Sequence, residues 1–145
     1  CILDPNGKWC VRGGLEEAVV WTDVFLWVSA PGVLTKEMVE SMNKDAIIFA
    51  MANPTPEIMP ELAYEAGAKI VATGRSDYPN QVNNSLVFPG IFKWALENNV
   101  DQITDDMKIS AAIALASAVE SPTAEKIIPG PFDPDIADII AKSIK

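Results

Sequence analysis

Four short apolar runs recur at nearly equal intervals along the chain, and this spacing constrains the fold more than any other feature. The runs are Cys1–Leu3, Val24–Val28, Ala46–Ala50 and Lys69–Ala72, so that starts at positions 1, 24, 46 and 69 lie 23, 22 and 23 residues apart. Continuous runs of Val, Ile, Leu and Phe are typical of strands buried on both faces. The intervals leave room for a helix between successive strands. We therefore predict repeated strand–helix units that build a mostly parallel sheet.

Helix signals fill the intervals between these runs and continue beyond them. Thr35 is a good N-cap, and Gly67 is a natural stop at a helix C-terminus. After Gly74 the alternation ends and longer helical segments follow. The predicted helices are Gly14–Val20, Lys36–Met42, Pro60–Ala66, Ser85–Asn98, Thr104–Val119 and Asp133–Lys145. We predict an α/β fold: a Rossmann-like, doubly wound, mostly parallel sheet with C-terminal helices and no internal domain boundary.

Composition excludes several classes of function. The 145 residues include no histidine, which rules out catalytic triads and zinc sites that need one from this chain. A net charge of -9 disfavours nucleic acid and membrane surfaces as partners. No run approaches the roughly 20 apolar residues of a membrane span. The two cysteines have no metal-ligand spacing, and a chain this rich in apolar residues needs no disulfide. We predict a cytoplasmic protein.

Candidate ligand-binding residues are those that follow the predicted strands, because open α/β sheets bind ligands at the carboxyl ends of their strands. Asp4 ends the first run, where an acidic residue can bind the ribose hydroxyls of NAD, although Asp-Pro-Asn-Gly is equally a turn sequence. Ser29 and Ala30 begin a small-residue loop ending at Gly32, which allows a ligand to approach the backbone or simply connects strand to helix.

Amides follow the third and fourth runs. Asn53 precedes Pro54 in a rigid turn, where its amide can donate and accept, although Asn before Pro is also a common turn former. Asn80, Asn83 and Asn84 lie in the most polar stretch of the chain, just before a predicted helix. Amides at a helix N-terminus suit a carboxylate ligand, and they also suit a simple helix cap.

Taken in order, these loops resemble those of bacterial malic enzymes. The resemblance rests on Val28-Ser29-Ala30-Pro31-Gly32-Val33-Leu34 after Asp23-Val24-Phe25, on the segment Ile48–Ile58, and above all on Ala72–Asn84 continuing to Phe88-Pro89-Gly90-Ile91-Phe92. Ile127-Ile128-Pro129 with Pro131-Phe132-Asp133 resembles the family's C-terminal signature. The similarity covers nearly the whole chain.

The resemblance implies oxidative decarboxylation of malate to pyruvate and CO2, with NAD or NADP as cofactor and Mg2+ or Mn2+ in the complete enzyme. It places Asp4 at the adenosine ribose, which favours NAD over NADP, and Ser29 and Ala30 along the dinucleotide. It places Asn53 against cofactor and substrate, and Asn84 against the substrate. It also implies a homo-oligomer.

The same resemblance implies that parts of the site lie elsewhere. The family's glycine-rich loop precedes the strand that begins here, and its tyrosine, lysine base and metal-binding carboxylates lie further upstream. We therefore expect residues 1–145 to form an NAD(P)-binding domain without its first β-α unit, with no catalytic or metal-binding residue, acting with the rest of the polypeptide and inactive alone. Trp27 stands where the family has glycine, in the strand leading to the cofactor loop.

Two other interpretations remain open at this point. One is a non-catalytic Rossmann-like module that binds a ligand or mediates oligomerisation. The other is a different Rossmann dehydrogenase, which would explain the strand spacing but not the loops at Asn53 and at Asn83-Asn84.

Overall fold

The computed structural model of the chain describes residues 2, 3, 10, 11 and 13–144, the first four by their backbone alone. The described residues form two compact units, which divide between Gly74 and Arg75. We expect no boundary here from the sequence, although the division falls where the strand–helix alternation ends.

The first apolar run does not join a parallel sheet. Strand β1 (Ile2–Leu3) pairs antiparallel with β2 (Cys10–Val11), with Ile2 opposite Val11, and these two strands form a sheet of their own. The prediction of a parallel strand at Cys1–Leu3 is therefore wrong. The reason is the separation along the chain: six residues lie between β1 and β2, whereas a parallel connection needs a crossover of about a dozen or more.

The other three runs form one parallel sheet, as predicted. Its strands are β3 (Val24–Trp27), β4 (Ile47–Ala50) and β5 (Ile70–Thr73), in the order β3-β4-β5. Phe25 lies opposite Ile48, and Ile48 opposite Val71. The strands run parallel, so their carboxyl ends all lie at one edge of the sheet. This confirms the α/β fold class, and each end of the three predicted strands lies within one residue of the observed end.

Three short helices cover one face of this sheet. They are α1 (Leu15–Val19), α2 (Lys36–Glu40) and α3 (Pro60–Glu65). Thr35 caps α2 as predicted, its hydroxyl accepting a hydrogen bond from the backbone nitrogen of Met38 at 3.3 Å. Each helix contributes to a core built on the in-register sheet residues of that face. The core residues are Val19, Phe25, Leu34, Val39, Met42, Ala46, Ile48, Ala50, Ile58, Ala63, Ala68 and Val71.

The expectation that the strands are buried on both faces is wrong for β3. Val24 and Leu26, which point away from the helix-covered face, are 50% and 62% exposed. Val28, just beyond the strand, is 71% exposed. The physical reason is that α1, α2 and α3 all pack on the Phe25 side of the sheet. In the described residues β3 also hydrogen-bonds to β4 alone, so its outer edge has no partner strand.

The second unit is helical. A 3-10 helix (Asn84–Leu86) leads into α4 (Phe88–Glu97), followed by α5 (Asp105–Ser117) and α6 (Ile136–Ser143). The single helix predicted over Ser85–Asn98 is thus two elements, because Pro89 favours the first turn of a new helix. The three α-helices share a core that includes Ile91, Ala111, Leu115 and Ile140.

Helices α4 and α6 meet at a glycine. A Cβ atom on Gly90 would lie 2.6 Å from Cβ of Ile140 and 2.8 Å from the carbonyl oxygen of Ala137. Backbone and side chain can approach this closely only because Gly90 has no side chain. No helix in the described part of the chain has the length and apolar character needed to span a membrane.

Candidate functional site

The carboxyl ends of β3 and β4 bring two of the predicted loops together. Trp27 pairs with Ala50 at the end of the ladder, and the backbone nitrogen of Met51 donates to the carbonyl oxygen of Trp27 at 3.1 Å. The chain then continues into Ser29 on one side and Ala52 on the other. These neighbouring loops form the candidate site in the first unit.

A buried carboxylate joins the two loops. Glu57 is fully buried, with 0% of its surface exposed. Its Oε1 accepts from the backbone nitrogen of Ser29 at 2.7 Å, and its Oε2 accepts from the backbone nitrogen of Ala52 at 3.0 Å. The hydroxyl of Ser29 lies 3.4 Å from the same Oε1. Glu57 is not among the site residues predicted from the sequence. A charged residue between the apolar Pro56 and Ile58 was the signal that could have drawn attention to it.

Backbone hydrogen bonds tie the loops together further along. The nitrogen of Gly32 donates to the carbonyl oxygen of Pro56 at 3.2 Å, and the nitrogen of Leu34 donates to the carbonyl oxygen of Glu57 at 3.1 Å. Gly32 has φ +69°, in the left-handed region that favours glycine. The loop after β3 is therefore fixed at Ser29, Gly32 and Leu34 against the loop after β4.

The predicted ligand-binding residues of these loops face solvent. Ser29, Ala30 and Asn53 are all exposed. Asn53 directly follows Ala52, and the peptide bond between Asn53 and Pro54 is cis. This edge therefore presents small side chains and one neutral amide to solvent. Such a surface can accept an elongated polar ligand across the ends of neighbouring strands.

Trp27 lies beside this surface. Its ring stacks on Phe25, with centroids 5.8 Å apart and 13° between the planes, and it remains 45% exposed. The ring therefore lies on the helix-covered face of the sheet, at the carboxyl end of β3. Part of its apolar surface is used in packing against Phe25.

The three asparagines of the polar stretch in the second unit differ in what their side chains do. Asn80 is buried, donates from Nδ2 to the carbonyl oxygen of Ala124 at 2.8 Å, and accepts at Oδ1 from the nitrogen of Ile127 at 2.9 Å. Asn83 caps the 3-10 helix by accepting from the nitrogen of Ser85 at 2.9 Å. Asn84 is exposed. Asn80 and Asn83 thus stabilise the loop, while Asn84 presents its amide to solvent.

Arg75 begins this stretch and is paired. Its guanidinium donates to both carboxylate oxygens of Asp77, at 2.9 and 2.6 Å, and lies 5.3 Å from the ring centroid of Tyr78. The side-chain hydrogen bond from Arg75 lowers the pKa of Asp77 from its ordinary value. The arrangement keeps a bidentate ion pair at the start of the second unit.

Metal-binding chemistry is not supplied by the described residues. Across residues 13–144 no group of three or more Asp, Glu, Cys or His side chains could hold a metal ion. The described residues therefore do not offer a site to the divalent metal implied by the sequence resemblance. Asp4, the predicted ribose-binding residue, lies outside the described residues.

Fold and site together define an α/β domain of Rossmann type with its ligand-binding loops at the carboxyl ends of parallel strands. Residues 14–145 match the family described as malic enzyme, NAD binding domain. The chain belongs to this family.

Named relatives are similar over most of the chain. It is 57% identical over 134 residues to the bifunctional malic/malolactic enzyme of Bacillus subtilis (strain 168), covering 91% of this chain and 33% of that enzyme. It is 46% identical over 150 residues to the NADP-dependent malic enzyme of Rhizobium meliloti (strain 1021), covering 92% of this chain and 20% of that enzyme. The crystal structure of the NAD-dependent malic enzyme of Thermotoga maritima superposes with a TM-score of 0.89 at 47% identity, covering 98% of this chain and 36% of that one. The chain thus spans about a third or less of the length of these relatives.

Proposed function

We propose that the protein to which these residues belong is an NAD(P)-dependent malic enzyme, which oxidises malate and decarboxylates it to pyruvate and CO2. The observation that carries the proposal is the paired loops at the ends of β3 and β4, held by Glu57 and presenting Ser29, Ala30 and Asn53 to solvent. The names of the relatives, which include NAD- and NADP-dependent malic enzymes, support it.

The described residues act here by binding and orienting. Ser29 and Ala30 lie along the dinucleotide, where their small side chains do not obstruct it. Asn53 binds at the nicotinamide end and Asn84 binds malate, since a neutral amide holds a carboxamide or carboxylate without adding charge. Ser29, Ala30 and Asn53 would hold the dinucleotide, and its nicotinamide would supply the hydride acceptor that oxidation of malate needs. None of these residues is assigned a catalytic role.

We further propose that a strand from elsewhere in the full protein completes the sheet. Strand β3 has no partner on its outer edge within the described residues, and its side chains at positions 24 and 26 are half-exposed or more. An unpaired apolar edge strand of this kind is normally covered. This supports the prediction that residues 1–145 are a dinucleotide-binding domain without its first β-α unit. Homo-oligomeric assembly and a cytoplasmic location stay predictions from the sequence.

The test is malate-dependent reduction of NAD and NADP by the natural full-length protein, followed at 340 nm with and without added Mg2+ or Mn2+. We expect turnover that requires malate. Asn53→Ala should lower kcat/KM by about ten- to a hundredfold, because a hydrogen bond to a charged or reacting group is lost. Thr55→Ala, also exposed in the same loop, is the matched control and should behave as wild type.

A non-catalytic module is the competing function. It predicts that the same protein binds dinucleotide or assembles without oxidising malate. Binding of NAD with no turnover in the presence of malate and metal would replace the enzyme proposal with this one.

A further inference from the structure

We infer that Glu57 is a positioning residue for the dinucleotide: its buried carboxylate holds the loop after β3 in the geometry that binds the cofactor. This inference rests on the proposed function. It goes beyond it by assigning affinity for the dinucleotide to a side chain that does not face the ligand surface.

Burying the carboxylate of Glu57 has a cost that the fold must offset. Glu57 is 0% exposed, and an isolated buried carboxylate is strongly unfavourable. The described structure compensates it with backbone N–H donors from two loops, Ser29 on Oε1 and Ala52 on Oε2. Hydrogen bonds of this kind, with an ionised acceptor, are among the stronger ones in proteins.

Both of these backbone N–H donors belong to the loops of the predicted ligand surface. Ser29 is itself a candidate cofactor-binding residue, and Ala52 immediately precedes Asn53. A buried carboxylate that served stability alone could lie anywhere in the core. Here one carboxylate fixes the backbone of both loops, at the edge of the sheet where ligands of open α/β folds bind.

Order in the loop after β3 affects how tightly the dinucleotide binds. Exposed loops lose conformational freedom when a ligand orders them, and this loss weakens affinity. The Glu57 bonds, with those of Gly32 and Leu34 to the backbone at 56 and 57, order the loop before the ligand arrives. Loosening Ser29 should therefore weaken dinucleotide binding more than it affects later steps.

The test is Glu57→Gln in the natural full-length protein. The amide has one acceptor oxygen and one NH2 group, so it can accept from Ser29 or from Ala52 but turns its NH2 group towards the other N–H, which then has no acceptor. We expect the Kd for NAD, measured by titration, to rise about tenfold or more. We also expect kcat at saturating NAD, and KM for malate at saturating NAD, to stay within about twofold.

Glu65→Gln is the matched control. It removes the same charge from the same unit, at an exposed position where the carboxylate pairs with Lys36 at 3.1 Å. It should leave the Kd for NAD unchanged. A Glu57→Gln variant with wild-type Kd overturns the inference, whatever its Tm. A wild-type protein that neither binds NAD nor oxidises malate instead overturns the proposed function.

Amide hydrogen exchange of the wild-type protein keeps the inference testable if Glu57→Gln does not fold. We expect the amides of Ser29 and Ala52 to exchange slowly before any NAD is added. Exchange at the rate of an unprotected loop, slowed only by NAD, would mean that the ligand orders the loop, and would overturn the inference.

Discussion

The side-chain oxygen of Asn83 accepts a hydrogen bond from the backbone nitrogen of Ser85 at 2.9 Å, so Asn83 and not its neighbour caps the 3-10 helix. Asn84 is exposed and lies within the first turn. The alternative interpretation of Asn84 as a helix cap is therefore wrong, because the adjacent amide already performs that function.

This difference makes Asn84→Ala a sharp test of substrate binding. If Asn84 binds a malate carboxylate, its loss removes a hydrogen bond to a charged group, which costs about 1.5–3 kcal/mol. We expect kcat/KM for malate to fall roughly ten- to a hundredfold with Tm unchanged. Steady-state kinetics and a melting curve on the same preparation measure both.

Asn83→Ala is the neighbouring control. It removes the observed cap, for which a cost of about 1 kcal/mol is typical, so Tm should fall while the malate kinetics stay near normal. The reverse pattern, with Asn83→Ala impairing kinetics and Asn84→Ala silent, would contradict the assignment of Asn84.

The contact of Gly90 with Ile140 predicts a second effect, on stability. Gly90→Ala would place Cβ 2.6 Å from Cβ of Ile140 and 2.8 Å from a backbone oxygen. Overpacking of this kind costs about 1–3 kcal/mol, whereas the better helix propensity of alanine returns up to about 1 kcal/mol. We expect a net loss in the free energy of unfolding, measured by denaturant titration.

Gly14→Ala is the matched control for this substitution. A Cβ on Gly14 would meet only the end of the Glu17 side chain, at 3.6 Å, which is an ordinary contact. Its effect should be a loss of about 0.5–1 kcal/mol at most, because alanine is a poorer N-cap than glycine, with no overpacking cost in addition. Equal stability of Gly90→Ala and wild type would show that α4 and α6 can separate at no cost.

Strands and helix starts were predictable wherever local sequence decides them. The apolar runs at 24–28, 46–50 and 69–72 coincide, to within one residue at each end, with the parallel strands β3, β4 and β5. Thr35 and Thr104 cap α2 and α5 through their hydroxyls. These features depend on hydrophobic periodicity and on one side chain reaching a nearby backbone nitrogen. Neither requires knowledge of distant parts of the chain.

The predictions were wrong or incomplete where contacts between distant parts of the chain determine the structure. The run at Cys1–Leu3 looks like the other runs, but its residues Ile2–Leu3 pair with Cys10–Val11, a segment too short to stand out in the sequence. The exposure of Val24 depends on which face of the sheet the helices pack against. The role of Glu57 depends on Ser29, 28 residues away in the chain, because only the folded sheet brings that N–H to a carboxylate.

Asp4 leads to a prediction on cofactor choice that rests on the sequence resemblance. A carboxylate at the adenosine ribose would repel the 2′-phosphate of NADP, so NAD should be preferred. Asp4→Ser in the natural full-length protein should reduce the ratio of kcat/KM for NAD to that for NADP. An unchanged ratio would remove Asp4 from the ribose site.

The pair formed by Lys126 and Asp133 predicts how one loop responds to acid. The ammonium of Lys126 donates to Oδ2 of Asp133 at 3.0 Å and, together with the backbone nitrogen of Gly130 at 3.1 Å, lowers the pKa of Asp133 from its ordinary value. A carboxylate with a lowered pKa in the folded state contributes stability above the pKa of the unfolded chain, about 3.9. That contribution is lost as pH falls through the lower, folded-state pKa.

Asp133→Asn should therefore lower Tm at pH 7, and the difference from wild type should shrink as pH falls below about 4. NMR titration of the Asp133 carboxyl measures the cause directly. In Lys126→Gln the largest of the stabilising contacts is gone, so the pKa of Asp133 should rise towards its ordinary value, while the bond from Gly130 keeps part of the shift. An Asp133 pKa that is the same in wild type and Lys126→Gln would show that the ion pair does not persist in solution, as many exposed pairs do not.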